Sequence, residues 1–417
     1  MRTRTVADVA FAGKTVLMRV DFNVPIKAGK VSNDRRIVQA LPTIRHVLDQ
    51  GARLVLMSHL GRPAEKGFEA DFSMGPVAEH LAHLLGKEVR LGPPEVVGEK
   101  AIQAVRALLP GDVLLLENLR FHPGETIEDK AKKNPDKRLT PEQQQVRDAF
   151  VEGLAALGDT YVNDAFGTCH RKHASMYFLP LAIKKRGGAA VAGFLVEKEI
   201  KYLHNAVHDP KRPFVAILGG AKVSDKTRLI ESLLEKVDRL IIGGAMAYTL
   251  LRARGVEVGK SLVEEERVEE MKAVLAGAGD KVLLPIDHVA TDDFEKGAPV
   301  KVPGQAIPGH LMGMDIGEAT VALFCDEVSR ARTIVWNGPM GVFERPEYAH
   351  GTRAVAEAVA KATDRGAVSV VGGGDSAAAV EQFGLSLRMT HVSTGGGASI
   401  EYLEGRPMPP IEVLDQV

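Results

Sequence analysis

At 417 residues the chain is long enough for two or three domains and too long for one. Hydrophobic residues make up 45% and charged residues 26%, with a formal net charge of -1. That balance excludes polyanion or membrane-surface binding through overall charge and leaves any anion site to a local patch.

The opening stretch, MRTRTVADVAFAGKTVLMRVDF, has short apolar runs broken by Asp8, Lys14 and Arg19, so it reads as neither a signal peptide nor a membrane span. Continuous apolar runs then predict strands buried on both faces at Val16–Val20, Leu54–Met57, Val113–Leu116, Thr160–Val162, Phe214–Leu218, Leu240–Ile242, Val282–Leu284, Thr333–Val335 and Val368–Val371. Helices are expected between them: Arg36–Gln50, Pro76–Leu85 and Pro141–Leu157, each stopped by a glycine, then Asp225–Lys236 and Gly351–Ala362. Strands alternating with helices imply βαβ units. They fall into two sets, so the expected fold is α/β: two Rossmann-like domains, each a parallel sheet flanked by helices, joined by a hinge helix. The joint is expected at KKRGG (184–188), followed by a connecting helix from about Gly193 to Val207. The domains are then 1–188 and 189–403, with 404–417, which contains GRPMPP (405–410), as an extended tail. Glu125–Gln145 mixes both charge signs and reads as a solvated surface excursion, not a nucleic-acid patch. The two cysteines, Cys169 and Cys325, exclude a disulfide framework and a four-ligand zinc site, and a reducing cytoplasm is the expected setting.

Ligands of parallel sheets bind at the carboxyl ends of strands. In the first half, those ends deliver Asp21 and Asn23, His59 and Arg62, Arg120, and Arg171, while Arg36 opens the first long helix. Guanidinium groups bind carboxylate and phosphate through paired hydrogen bonds. Arg36, His59, Arg62, Arg120 and Arg171 on one rim therefore describe a pocket for a small, multiply anionic molecule. Asp21 and Asn23 suit substrate hydroxyls, and suit turn positions equally well.

The second half differs. Phe214–Leu218 runs into Gly219-Gly220-Ala221-Lys222-Val223-Ser224-Asp225-Lys226, a glycine turn and helix start with two lysines, where backbone N–H groups attract phosphate. It is not a Walker A loop, because Asp225 precedes the lysine where glycine is required. Val368–Val371 runs into Gly372-Gly373-Gly374-Asp375-Ser376. Asp375 beside bound phosphates calls for a cation, Mg²⁺, although it also suits a helix cap. Glu344, in the loop after Trp336, suits ribose hydroxyls. Gly372, Gly374 and Ala377 fit a dinucleotide fingerprint, but positions 394–398 lack the acidic residue it needs.

Together RVDFNVP (19–25), SHLGRP (58–63), LENLRF (116–121), NDAFGTCHR (163–171), GGAKVSDK (219–226), WNGPMGVFE (336–344) and GGGDS (372–376) resemble the signature set of the phosphoglycerate kinase family, in the family's order. The resemblance implies reversible phosphoryl transfer between ATP and 3-phospho-D-glycerate, in glycolysis and gluconeogenesis, by a monomer; because the two half-sites fall on different domains, a hinge closure around residues 187–207 is expected. It implies an N-terminal domain for 3-phosphoglycerate, with Asp21, Asn23, Arg36, His59, Arg62, Arg120 and Arg171, and a C-terminal domain for Mg-ATP. There it implies Lys226, Glu344, Gly373, Gly374, Asp375 and Ser376 at the nucleotide, Asp375 on the metal, and Lys222 with Arg36 as catalytic groups. It also implies that the tail packs back on the first domain. The chain departs from the family in a longer 122–145 segment, in Cys169 where alanine is common, and in GHLMGMD (309–315), which lacks the usual tryptophan. A kinase for another carboxylic acid, or a binding protein that lost activity, are the rival readings. The cationic rim favours a substrate carrying its own phosphate, and no motif is damaged.

Overall fold

The computed structural model describes residues 2–134 and 136–417, with the side chain of Lys132 also left out. The chain forms two compact units, residues 1–200 with 407–417, and residues 201–406.

The first unit is built on a six-stranded parallel sheet in the spatial order Arg90–Leu91, Val113–Leu115, Arg53–Met57, Thr15–Val20, Thr160–Asp164, Ala190–Ala192. Every residue of the central strand Thr15–Val20 is buried, Arg19 included. Its apolar side chains pack against the helices Arg35–Asp49 and Gly75–Leu85 through Ile37, Ile44, Val47, Val77 and Leu81. The helix Gly75–Leu85 ends at Gly86, whose φ of 67° is the left-handed conformation that glycine adopts without penalty. Pro141–Ala155 starts with a capping box, in which Thr140 accepts from the Gln143 amide at 3.3 Å and Gln143 accepts from the Thr140 amide at 3.0 Å.

The sequence places the domain joint at 188/189, whereas the compact units divide at Ile200/Lys201. The reason is Ala190–Ala192, a strand hydrogen-bonded to Thr160–Asp164 as the edge of the first sheet. The helix that follows, Phe194–His208, thus begins in the first unit and ends in the second. Its first turn is held by Asp164, whose Oδ1 accepts from the amides of Leu195 at 2.9 Å and Val196 at 3.3 Å. The expected extended tail is corrected: it holds the short helix Pro409–Glu412, because two prolines at the first helical positions preset the turn. Residues 407–417 lie in the first unit, where the Arg4 amide donates to the Asp415 carbonyl at 2.8 Å.

The second unit has its own six-stranded parallel sheet, ordered Val282–Leu283, Arg239–Ile242, Phe214–Leu218, Thr333–Asn337, Val368–Gly372, His391–Val392. Counted along the chain this is 3-2-1-4-5-6, the doubly wound order, and its crevice opens where the order reverses, between Phe214–Leu218 and Thr333–Asn337. Trp336 is fully buried there, its indole N–H donating to the Gly338 carbonyl at 2.7 Å. A three-stranded antiparallel sheet, Val300–Val302, His288–Thr291 and Met312–Ile316, was not expected from the sequence.

Candidate active site

The carboxyl ends of the first sheet converge as the strand pattern requires. Arg36, in the first turn of its helix, reaches back to the loop after Thr15–Val20: Nη1 donates to both oxygens of Asp21 at 3.1 Å and to the Asn23 carbonyl at 3.2 Å. Asn23 Oδ1 accepts from the Gly61 amide at 2.9 Å, and Arg120 Nη1 donates to the Gly61 carbonyl at 2.7 Å. The SHLGRP loop is therefore held from both sides by residues of the rim. Gly61 itself has a φ of 60°, and a Cβ there would lie 2.5 Å from the Phe72 ring.

His59 is buried, with Arg19 Nη2 3.1 Å from its Nδ1. Burial, and then the charges of Arg19, Arg120, His173 and Arg36, hold its imidazole well below the ordinary histidine pKa. Burial and the charge of Arg19 likewise lower the pKa of Arg120; Glu125 opposes this, and Arg171 and Arg62 add to the lowering. Cations from several strand ends thus feel one another in one field, with Asp21 on Arg36 and Asp129 on Arg171 as nearby counter-charges. Such a field binds a small polyanion. Arg62 is exposed, and Arg171 is half-buried with Nη1 3.3 Å from Asp129.

In the second unit, three glycine turns interlock at the crevice. The Gly219 amide donates to Asn337 O at 3.0 Å, the Gly220 amide to Pro339 O at 3.1 Å, and the Gly244 amide to Met340 O at 3.0 Å. A Cβ on Gly219 would sit 2.0 Å from Pro339 O, so only glycine permits this approach. Lys226 Nζ enters the same turn, donating to Gly219 O at 2.6 Å and Asn337 O at 2.9 Å. Burial pulls its pKa down to about 8, with Asp375 and Asp225 opposing. Lys222 is exposed, on a loop tied down by Glu264, which accepts from the Ser224 amide at 3.0 Å. Asp375 and Gly374 are exposed in the first turn of the helix Gly374–Gln382, whose cap residue is Gly373, while Ser376 is buried and accepts from the Gly338 amide at 2.5 Å. Glu344 is exposed.

Residues 6–406 match the family model described as phosphoglycerate kinase. The chain is 48% identical over 422 residues to the phosphoglycerate kinase of Leuconostoc mesenteroides, covering 100% of both, and 49% identical over 420 residues to that of Chlorobaculum tepidum, again covering 100% of both. Among solved structures it is similar to the phosphoglycerate kinase of Coxiella burnetii, with a TM-score of 0.83 and 39% identity over 99% of this chain and 98% of that one. It is similar also to that of Pyrococcus horikoshii, with a TM-score of 0.82 and 33% identity over the same shares. The chain belongs to the phosphoglycerate kinase family. Membership places it among the kinases and transferases of glycolysis, in a family that uses ATP or ADP and 3-phosphoglycerate as small-molecule substrates.

Beside these expected groups the structure brings together some that the sequence did not single out. Arg19 reads in sequence as a charge that interrupts an apolar run; it lies fully buried behind the rim with Glu125 and Ser175. The reading of Glu125–Gln145 as solvated is corrected at its start, since Glu125 and Ile127 are buried and Asp129 meets Arg171; Pro135, within that segment, lies outside the described residues. Asn337 follows Trp336 in a quoted motif, yet its Nδ2 is buried without a partner, facing Gly373. An asparagine at a strand end between two glycine turns was the available signal for it.

For a phosphoglycerate kinase the metal question turns on carboxylates. Among the described residues no cluster of three or more histidine, cysteine, aspartate or glutamate side chains stands ready to hold an ion. Asp375 alone, exposed at a helix start beside the crevice, suits Mg²⁺ carried in by nucleotide phosphates, the usual manner for that ion.

Proposed function

We propose that the chain catalyses reversible phosphoryl transfer between ATP and 3-phospho-D-glycerate, giving ADP and 1,3-bisphosphoglycerate, with the acid on the first unit and the nucleotide on the second. The rim carries this reading: the guanidinium groups of Arg36, Arg62, Arg120 and Arg171, with the imidazole of His59 among them, stand around the strand ends to meet both the carboxylate and the phosphate of such an acid. Asp21 and Asn23 take its hydroxyl. On the second unit Lys226 and the amides of Gly373, Gly374 and Ser376 take nucleotide phosphates, and Glu344 takes the ribose.

In the ATP-consuming direction the nucleophile is a carboxylate, already ionised at neutral pH, so no general base is needed. The task is to bring two anions together and to stabilise charge on the equatorial oxygens of the transferring group. Arg36 and Lys222 do this from the two units, with N–H groups of the glycine turns. Asp375 would hold Mg²⁺ brought in with the nucleotide, and the ion would supply positive charge beside the phosphate oxygens. Transfer requires the reacting atoms ~3–3.5 Å apart, so the two units close on each other about the helix Phe194–His208 when both ligands are bound. The protein works as a monomer in the cytoplasm.

The deciding measurement is ADP formation from Mg-ATP and 3-phosphoglycerate with 1,3-bisphosphoglycerate drawn off by a coupling enzyme. Turnover requiring both substrates and Mg²⁺ is expected; nucleotide binding without turnover would refute the reaction. Small-angle scattering on free and doubly liganded protein reads the closure as compaction.

A further inference from the structure

The groups behind the rim form a buried relay that the reaction itself does not use. Arg19 is fully buried. Its Nε donates to Ser175 Oγ at 2.9 Å, another guanidinium N–H donates to the Val20 carbonyl, and Nη2 lies 3.1 Å from His59 Nδ1. Ser175 Oγ donates in turn to Glu125 Oε1 at 2.7 Å, and the Ser175 amide donates to Glu125 Oε2 at 2.9 Å. Glu125 Oε1 stands 3.8 Å from Arg19 Nη2, with both side chains wholly out of solvent. Each end of Arg19 is thus pinned, and its position is over-determined.

We infer that Arg19, set in place by Ser175 and Glu125, fixes His59 as the neutral tautomer with its proton on Nε2, so that His59 meets the substrate as an uncharged hydrogen-bond donor. The argument is one of donor arithmetic. A guanidinium has only donors. An N–H facing Nδ1 at 3.1 Å therefore requires a lone pair there, and a neutral ring with a bare Nδ1 carries its hydrogen on Nε2. A doubly protonated ring would set N–H against N–H beside a buried cation. The surrounding charges act in the same direction, since those of Arg120, His173 and Arg36 also disfavour a protonated ring. The Nε2–H then serves an anionic oxygen, carboxylate or phosphate, adding direction where the arginines add charge. Arg19, Ser175 and Glu125 are positioning residues: they act on the substrate only through His59. The inference rests on the reading of this rim as the acid's site.

The test is the nitrogen-15 spectrum of histidine-labelled protein at neutral pH without substrate, with His59 assigned by its loss in His59→Gln. A protonated Nε2 and a bare Nδ1 are expected; a proton on Nδ1, or on both, overturns the inference, and this requires no variant of the buried relay to fold. Ser175→Ala, which removes the acceptor of Arg19 Nε, is expected to mix the tautomers. It should raise KM for 3-phosphoglycerate about 10-fold, the size of one charge-assisted hydrogen bond, and leave KM for ATP unchanged. An unmixed ring in a folded Ser175→Ala protein would show that the relay does not set the tautomer. His59→Gln, which keeps an N–H near the Nε2 position, should retain more affinity than His59→Asn; the reverse order counts against the donor role. Because the spectrum is taken without substrate, an expected ring in a protein that does not turn over 3-phosphoglycerate refutes the reaction and not the tautomer.

Discussion

The ammonium group of Lys226 donates to the main-chain oxygen of Asn337 at 2.9 Å, joining two strand-end turns that are 111 residues apart. Its second bond, to Gly219 O, closes the link within the crevice. The charge that would meet a nucleotide phosphate is therefore also the fastener of the loops around it.

Burial lowers the Lys226 pKa to about 8, so the free protein loses this charge as pH rises through about 8, where an ordinary lysine keeps it beyond pH 10. The kcat/KM for ATP should fall over that range, because this parameter reports ionisations of the free enzyme. Lys226→Arg should remove the inflection. A profile flat to pH 9.5 in the unaltered protein would count against Lys226 as a phosphate ligand.

Lys222 is exposed and its loop is held by Glu264, not by Lys222 itself. Lys222→Ala should therefore leave folding intact while lowering kcat by roughly 10²–10³-fold, the usual cost of one oxyanion donor. Thermal unfolding and steady-state kinetics on one preparation separate the two effects, and an unchanged kcat removes Lys222 from the reaction.

Gly338 has a φ of 103°, and a Cβ there would lie 2.2 Å from Gly219 O and 2.6 Å from Lys226 Nζ. Gly338→Ala should cost about 1–3 kcal/mol of stability and weaken nucleotide binding more than 10-fold, with 3-phosphoglycerate binding retained. Gly277→Ala, at a site with nothing within 4 Å, is the control and should be neutral or slightly stabilising. Calorimetric titration with each ligand reads both.

Burial raises the Asp164 pKa from 3.8 to about 7, with the amides of Val196 and Leu195 opposing. A carboxyl group with a raised folded pKa contributes stability that is complete below about pH 4 and lost as pH rises through about 7. Asp164→Asn keeps an oxygen for both amides and removes the titration. Between pH 5 and pH 8 the variant should gain on the parent by about 3 kcal/mol, at about 1.4 kcal/mol per pH unit over some two units. Denaturant midpoints at the two pH values give the answer; parallel shifts in the two proteins would clear Asp164 of the effect.

Much of the fold was legible because parallel strands buried on both faces leave continuous apolar runs: Phe214–Leu218 matches its expected span, and the others differ by a residue or two at their ends. Arg90–Leu91 and His391–Val392 escaped notice, being two residues long. The antiparallel sheet escaped because Val300–Val302 is largely exposed and the pairing of His288–Thr291 shifts register between Val289 and Ala290, which breaks any period. The same contrast holds at the site. Arg36, His59 and Arg120 stand at strand ends or helix starts, where chain position alone suggests a ligand. Arg19 lies within a strand, and its partner Ser175 is 156 residues away; no local pattern encodes that distance.

The division of the chain, with residues 407–417 inside the first unit and 201–406 forming the second, sets the order in which the halves can be finished during synthesis. The second unit is one uninterrupted stretch and has all its strands once residue 406 has been made. The first unit, though begun earlier, waits for its last segment until the other has been translated in full. On its edge strand Ala190–Ala192, the Ala192 amide has the early-made Arg4 carbonyl as its partner at 2.9 Å, but the Ala190 carbonyl, which accepts from the Asp415 amide at 2.8 Å, waits for that partner through the whole interval. The earlier-made half is therefore the one that a ribosome-associated chaperone has most time to meet.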